Sequence, residues 1–136
     1  LTVMEHDEAA LPPLLVVDGA NVVGSVPDGW WRDRRGAAER LRDALVAVAA
    51  QGLPERPGPL DVVLVVEGAA RGVTGLPEVR VVSAGGSGDD RIVDLVREAR
   101  AEDPARACVV VTADRELRAR VGALGAAVTG PRSVRG

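Results

Sequence analysis

The sequence predicts an α/β domain built on an open, mainly parallel sheet of about five strands with helices on both faces. Two observations carry that prediction. Five short runs rich in Val and Leu, at 14–17, 61–66, 79–83, 107–112 and 126–129, are mostly continuous and do not alternate with polar residues. Strands covered on both faces have that pattern. Between them lie stretches whose apolar residues recur at helical spacing, and parallel strands need crossovers of that kind.

Taken in order, LLVV at 14–17 opens the sheet. Ala37, Ala38, Leu41, Leu45 and Val48 then mark a helix from about 33 to 50, which Gly52 and Pro54 stop. DVVLVV at 61–66 and VRVVS at 79–83 follow, joined by a link that holds a turn or a brief helix. Ile92, Leu95, Val96 and Ala99 mark a second helix that ends before Pro104. ACVVVT at 107–112 is the fourth strand; Leu117, Val121 and Leu124 mark a third helix, closed by Gly125, and AAVT at 126–129 ends the sheet. The domain is expected to span 13–131, between a flexible N-terminal segment, 1–12, and a C-terminal tail, 132–136, with 51–60 a loose connection.

Composition narrows the class. The 136 residues suffice for one domain with a real core and are too few for two. No apolar run approaches the roughly 18–20 residues that cross a bilayer, and the acidic opening LTVMEHDEAALPP does not read as a signal peptide. A cytoplasmic protein without membrane contact is expected. The single cysteine, Cys108, excludes an internal disulfide and a multi-cysteine zinc site, and its place in ACVVVT reads as core. A net charge of −3 argues against a uniformly basic coat but leaves room for a local basic patch. All 17 basic residues are Arg, and Trp30 and Trp31 are the only aromatics, so a base-stacking platform has little to draw on.

The acidic residues fall where an open α/β sheet binds ligands, beyond the carboxyl ends of its strands. The first strand runs out at Asp18 in VVDGANVV and the second at Glu67 in LVVEGA. The third leads through SAGGSG to Asp89 and Asp90, and the fourth to Thr112 and Asp114 in VVVTADREL. Two carboxylates about 5 Å apart repel by roughly 3 kcal/mol at an effective dielectric near 20. Several together raise their own pKa values or recruit a cation. Oxygen ligands without a usable His suit Mg²⁺ or Mn²⁺, ions fitted to phosphoryl chemistry. A plainer reading stands beside this one: Ser87 and Asp114 are also good helix N-caps, and Glu67 could be a solvated strand end. Asp18 shows no such capping need.

These motifs resemble the NYN/YacP branch of the PIN-like nucleases. VVDGANVV is similar to that family's first strand, where Asn follows Asp by three residues; LVVEGA looks like its second acidic strand end, with Glu for the more usual Asp. In GSGDDRIVDLV, Asp89 precedes Ile92 by three, and Thr112 and Asp114 match a T-x-D pattern. The resemblance covers roughly 14–130 and implies a PIN-like, Rossmann-like three-layer fold and a metal-dependent endoribonuclease acting on RNA. On that mechanism Asp18, Glu67, Asp89 and Asp114 hold one or two Mg²⁺ or Mn²⁺ ions. Asn21 joins Asp18, Asp89 and Asp114 in the catalytic set, orienting Asp18 or touching the phosphate, while Asp90 and Thr112 support. Arg32, Arg34 and Arg35, in WWRDRR beside Trp30 and Trp31, are candidate RNA contacts, with an amphipathic helix entry carrying snorkelling Arg as the alternative. The chain departs from the family in its compact link before Asp89 and in lacking Lys, Phe and Tyr.

Other sites fit less well. DGANVVG is not G-x-G-x-x-G, and no P-loop motif occurs. Receiver-type and haloacid-dehalogenase-type sites usually need a Lys, a Toprim-like domain needs a later D-x-D, and His6 lies in the loose N-terminal segment. One alternative of another class stays open: a non-catalytic NYN-like module that binds RNA or a protein partner through a retired acidic site. A homodimer or protein partner is left open as well.

Overall fold

The computed structural model describes residues 11–135. Its main sheet has five parallel strands: β1 (Leu14–Asp18), β4 (Asp61–Val66), β5 (Val79–Ser83), β6 (Cys108–Val111) and β7 (Ala127–Thr129). They lie in the order β5-β4-β1-β6-β7. A separate two-stranded ribbon pairs β2 (Gly52–Leu53) with β3 (Arg56–Pro57). The helices are α1 (Gly19–Gly24), α2 (Arg34–Gln51), α3 (Gly88–Glu102), α4 (Arg115–Gly122) and α5 (Arg132–Arg135).

Alternation along the central strand builds two cores. Leu15 and Val17 pack with Leu64 and Val66 against Val22 of α1 and Leu41 and Leu45 of α2. On the opposite face, Leu14 and Val16 pack with Val63, Val65 and Val110 against Ile92 and Val96 of α3 and Leu117 and Val121 of α4. The predicted three-layer α/β architecture is therefore the observed one. β1 is buried along its whole length because a parallel central strand has no face left for water. Cys108 is buried in the second core, as its sequence context predicts.

The three predicted helices form close to their expected bounds, each started by a side-chain cap: Asp33 accepts from Gly36 N at 2.9 Å, Ser87 from Asp90 N at 3.4 Å, and Asp114 from Leu117 N at 3.0 Å. The link after β4 is the predicted brief turn, a 3₁₀ segment at Gly68–Ala70.

Two expected loose segments are ordered. The 51–60 connection folds back on the end of α2: Gly52 takes φ +83°, Leu60 N donates to Ala49 O at 2.8 Å, and Leu53 and Leu60 are buried. The expected tail at 132–136 contains α5, which seats Val134 in the first core; Arg135 donates to Val22 O at 3.3 Å and pairs with Asp28 at 3.5 Å. A four-residue helix is too short to leave a periodic signal in sequence. Of the expected flexible N-terminal segment, residues 1–10, His6 among them, lie outside the described residues; Pro12 O accepts from Arg106 Nε at 2.8 Å. Among the described residues no helix is long and apolar enough to cross a membrane.

One glycine is required by packing. A methyl group at Gly19 would lie about 2.5 Å from Val65 O, a backbone atom of the neighbouring strand that cannot step aside. Gly19→Ala is expected to lower the unfolding free energy by about 1–3 kcal/mol in urea titrations, as overpacking does. An unchanged midpoint would show that α1 does not press on β4.

Candidate functional site

The topology makes a crevice between β1 and β6. From β1 the chain passes through α1 and α2 on one face to β4 and β5, then returns through α3 on the other face to β6. Connections leave the carboxyl ends of these two neighbours in opposite directions, which opens the edge of the sheet to a ligand. Asp18 is the last residue of β1, and Thr112 directly follows β6.

Asp18 is only 4% exposed and is held from both sides. Thr112 Oγ1 donates to its Oδ2 at 2.8 Å across the crevice, and Asn21 N donates to its Oδ1 at 3.4 Å. Asp18 is thus the N-cap of α1, a role the sequence does not show because the helix is only six residues long. Thr112 Oγ1 in turn accepts from Asp114 N at 3.1 Å, so one hydroxyl closes the T-x-D turn and anchors the carboxylate on the next strand. The Asn21 side chain bonds elsewhere than Asp18: its Oδ1 accepts from Ala113 N at 2.9 Å and ties α1 to the same turn. Asn21 acts on the site by holding its neighbours in place.

Glu67 and Asp89 complete the edge. Gly88, the first residue of α3, is buried against the Glu67 carboxylate, and any side chain at 88 would displace it. Asp89 follows in the first turn of α3, and Asp114 in the turn that starts α4. These groups feel one another. Burial pushes the Asp18 carboxyl up to about 6, with the charges of Asp89 and Glu67 adding to the rise, while hydrogen bonds from Thr112 and Asn21 oppose it. Burial also raises Asp89, helped by Asp114 and Glu67 and opposed by Arg120.

The structure therefore brings Asp18, Glu67, Asp89 and Asp114 to one edge and within each other's fields. Other predicted residues are engaged elsewhere. Asp90 pairs with Arg120 at 3.0 Å on the exposed side of α3. Arg35 clamps the loop after β4, donating to Arg71 O at 2.6 Å and Gly72 O at 3.2 Å, so its guanidinium has a structural partner. Arg34 lies over the Trp30 ring at 5.2 Å and Arg32 over Trp31 at 5.7 Å. Sequence reasoning passed over Arg120 and Gly88. The run GSGDD held a signal for the glycine, since it begins a helix directly after a strand-end turn.

The donor set suits a hard divalent cation: it is all oxygen, its negative charge is shared, and its most buried member is strained toward protonation. Among the described residues, though, no group of three or more His, Cys, Asp or Glu side chains stands close enough to hold an ion as placed. Closing on one requires the side chains to rotate inward.

The fold is shared with solved structures of YacP. The solved structures similar to this chain include Rae1 (YacP) from Bacillus subtilis, with a TM-score of 0.69 at 20% identity, covering 90% of this chain and 71% of that one. A tryptophan-to-leucine mutant of the same Bacillus subtilis protein gives a TM-score of 0.73 at 20% identity, over 90% of this chain and 72% of that one. At that identity the likeness is one of fold. The sequence matches no protein-family model and no curated protein.

The raised Asp18 pKa has a definite sign. Between the ordinary 3.8 and about 6 the folded protein holds a proton that the unfolded chain has released. Stability therefore falls as pH rises through that window, by about 3 kcal/mol for this group if burial is fully felt. In EDTA, Asp18→Asn is expected to lose less stability than the parent between pH 4 and 7 and to be the more stable of the two at pH 7.5. Parallel pH profiles in urea unfolding would contradict the placement of Asp18 in a desolvated site.

Proposed function

We propose that the protein is a metal-dependent endoribonuclease that hydrolyses RNA phosphodiester bonds at the carboxylate edge. One observation carries the reading most of the way: four carboxylates from four strand ends share one edge of a YacP-like fold, and the most central is buried with its pKa raised to about 6. A cluster of acids that serves only as helix caps has no need to bury one of them at a topological switch point.

In this reading Asp18, Glu67, Asp89 and Asp114 hold Mg²⁺ or Mn²⁺. The bound ion would supply an activated water and neutralise charge on the leaving oxygen. Thr112 keeps Asp18 aimed across the crevice, and the Asn21 side chain keeps the turn carrying Asp114 against α1. Gly88 leaves room for the Glu67 carboxylate beside Asp89. Below about pH 6 a proton competes with the cation for Asp18, so metal binding should weaken there.

The second reading is a non-catalytic RNA- or protein-binding module with a retired acidic site. It draws on the open placement of the carboxylates among the described residues and on the pairing of Asp90 with Arg120. Cleavage assays separate the two. Purified protein is expected to cut single-stranded or structured RNA with Mg²⁺ or Mn²⁺ and not in EDTA. Asp18→Asn and Asp89→Asn should each reduce the rate roughly hundredfold or more while remaining folded. Full activity in both variants would defeat the mechanism, and no cleavage by any of the proteins would favour the binding module.

A further inference from the structure

The two tryptophans are placed against expectation. A chain whose only aromatics are Trp30 and Trp31 would gain most by burying both, yet Trp31 is 51% exposed and Trp30 is only half-buried. Their rings meet edge to face with centroids 6.0 Å apart, and an Arg guanidinium covers each. Neither Arg32 nor Arg34 takes part in an ion pair among the described residues. In a protein of net charge −3, this is a local positive and aromatic surface.

Trp30 and Arg34 also line a cleft of about 160 Å³ together with Ala20, Val23, Glu67 and Gly68. Ala20, Val23 and the Trp30 ring give it an apolar lining, and Arg34 brings a cation to it. Glu67 belongs to the carboxylate edge, so the cleft and the proposed metal site share a residue. The space admits one planar ring system and has no room for a base pair.

Building on the ribonuclease reading, we propose that this cleft seats one unpaired nucleobase of the substrate, with Trp31 and Arg32 on its rim for the neighbouring nucleotide. A base held beside Trp30 places its own phosphate next to Glu67, where the carboxylates and their cation act. Arg34 supplies the countercharge. The site thereby selects single-stranded RNA over duplex, because a paired base is stacked inside its helix and cannot enter. Stacking on an aromatic face tolerates any base, so the cleft sets strandedness and position more than sequence.

The test uses the chain's own composition: with no Tyr and two adjacent Trp, intrinsic fluorescence reports on this surface alone. Protein is titrated with a short oligoadenylate, and separately with the same strand in a duplex, in buffer containing Ca²⁺ to neutralise the carboxylates. Ala20→Leu fills the cleft from an exposed position on α1, and Trp31→Ala removes an exposed ring; neither touches the core. The expected result is saturable quenching by the single strand and much weaker quenching by the duplex. Ala20→Leu should raise the Kd about tenfold or more, and Trp31→Ala, followed by fluorescence anisotropy of labelled RNA, should do the same. Equal response to duplex, or wild-type affinity in Ala20→Leu, overturns the base site. Selective quenching with no cleavage when Mn²⁺ is supplied would defeat the ribonuclease reading and keep the base site. Cleavage that neither variant impairs would do the reverse.

Discussion

The structure of the site depends on one hydrogen bond across the crevice, from the Thr112 hydroxyl to the Asp18 carboxylate at 2.8 Å. Its two ends come from neighbouring parallel strands that are far apart in sequence and whose connections leave in opposite directions. A buried carboxylate without a donor would be expelled or protonated, and a buried hydroxyl without an acceptor would destabilise its strand end. Each satisfies the other. Because Thr112 also accepts from Asp114 N, the same oxygen fixes where the next acidic residue begins its helix. Among the described residues no buried side-chain polar atom lacks a partner.

What that bond cannot settle is charge. Asp18 is desolvated with Glu67 and Asp89 in its field, and its raised pKa expresses an unrelieved cost. Hydrogen bonding orients the group, and a proton or a cation relieves the repulsion around it. Arg120, paired with Asp90, offsets part of the rise at Asp89. The fold thus combines an anionic edge, the proposed seat of a divalent ion, with a cationic, aromatic surface around Trp30, Trp31, Arg32 and Arg34.

Much of this was legible in the sequence because the informative elements are long or strictly placed. Continuous Val-rich strands gave the parallel sheet, α2, α3 and α4 are long enough to show a helical period, and Asp18, Glu67 and Asp114 stand at strand ends that the pattern marks. Short elements escaped. α1 has six residues and α5 four, so neither the capping by Asp18 nor the burial of Val134 shows as a period. Arg35 looked like part of a basic grip because its loop partners, Arg71 and Gly72, are brought to it only by the folded chain. The scarcity of aromatics leaves little for a stacking surface, and the fold sets Trp30 in the lining of one cleft with Trp31 edge to face beside it.

The central claim is that carboxylates from separate strands rotate onto a shared ion, and it is tested most directly by anomalous diffraction from crystals soaked in Mn²⁺. The account predicts a peak in the crevice between β1 and β6, coordinated by Asp18 and by at least one of Glu67, Asp89 and Asp114. Crystals without a peak there, with Asp18 still bound to Asn21 N and Asp114 still bound to Leu117 N, would contradict it.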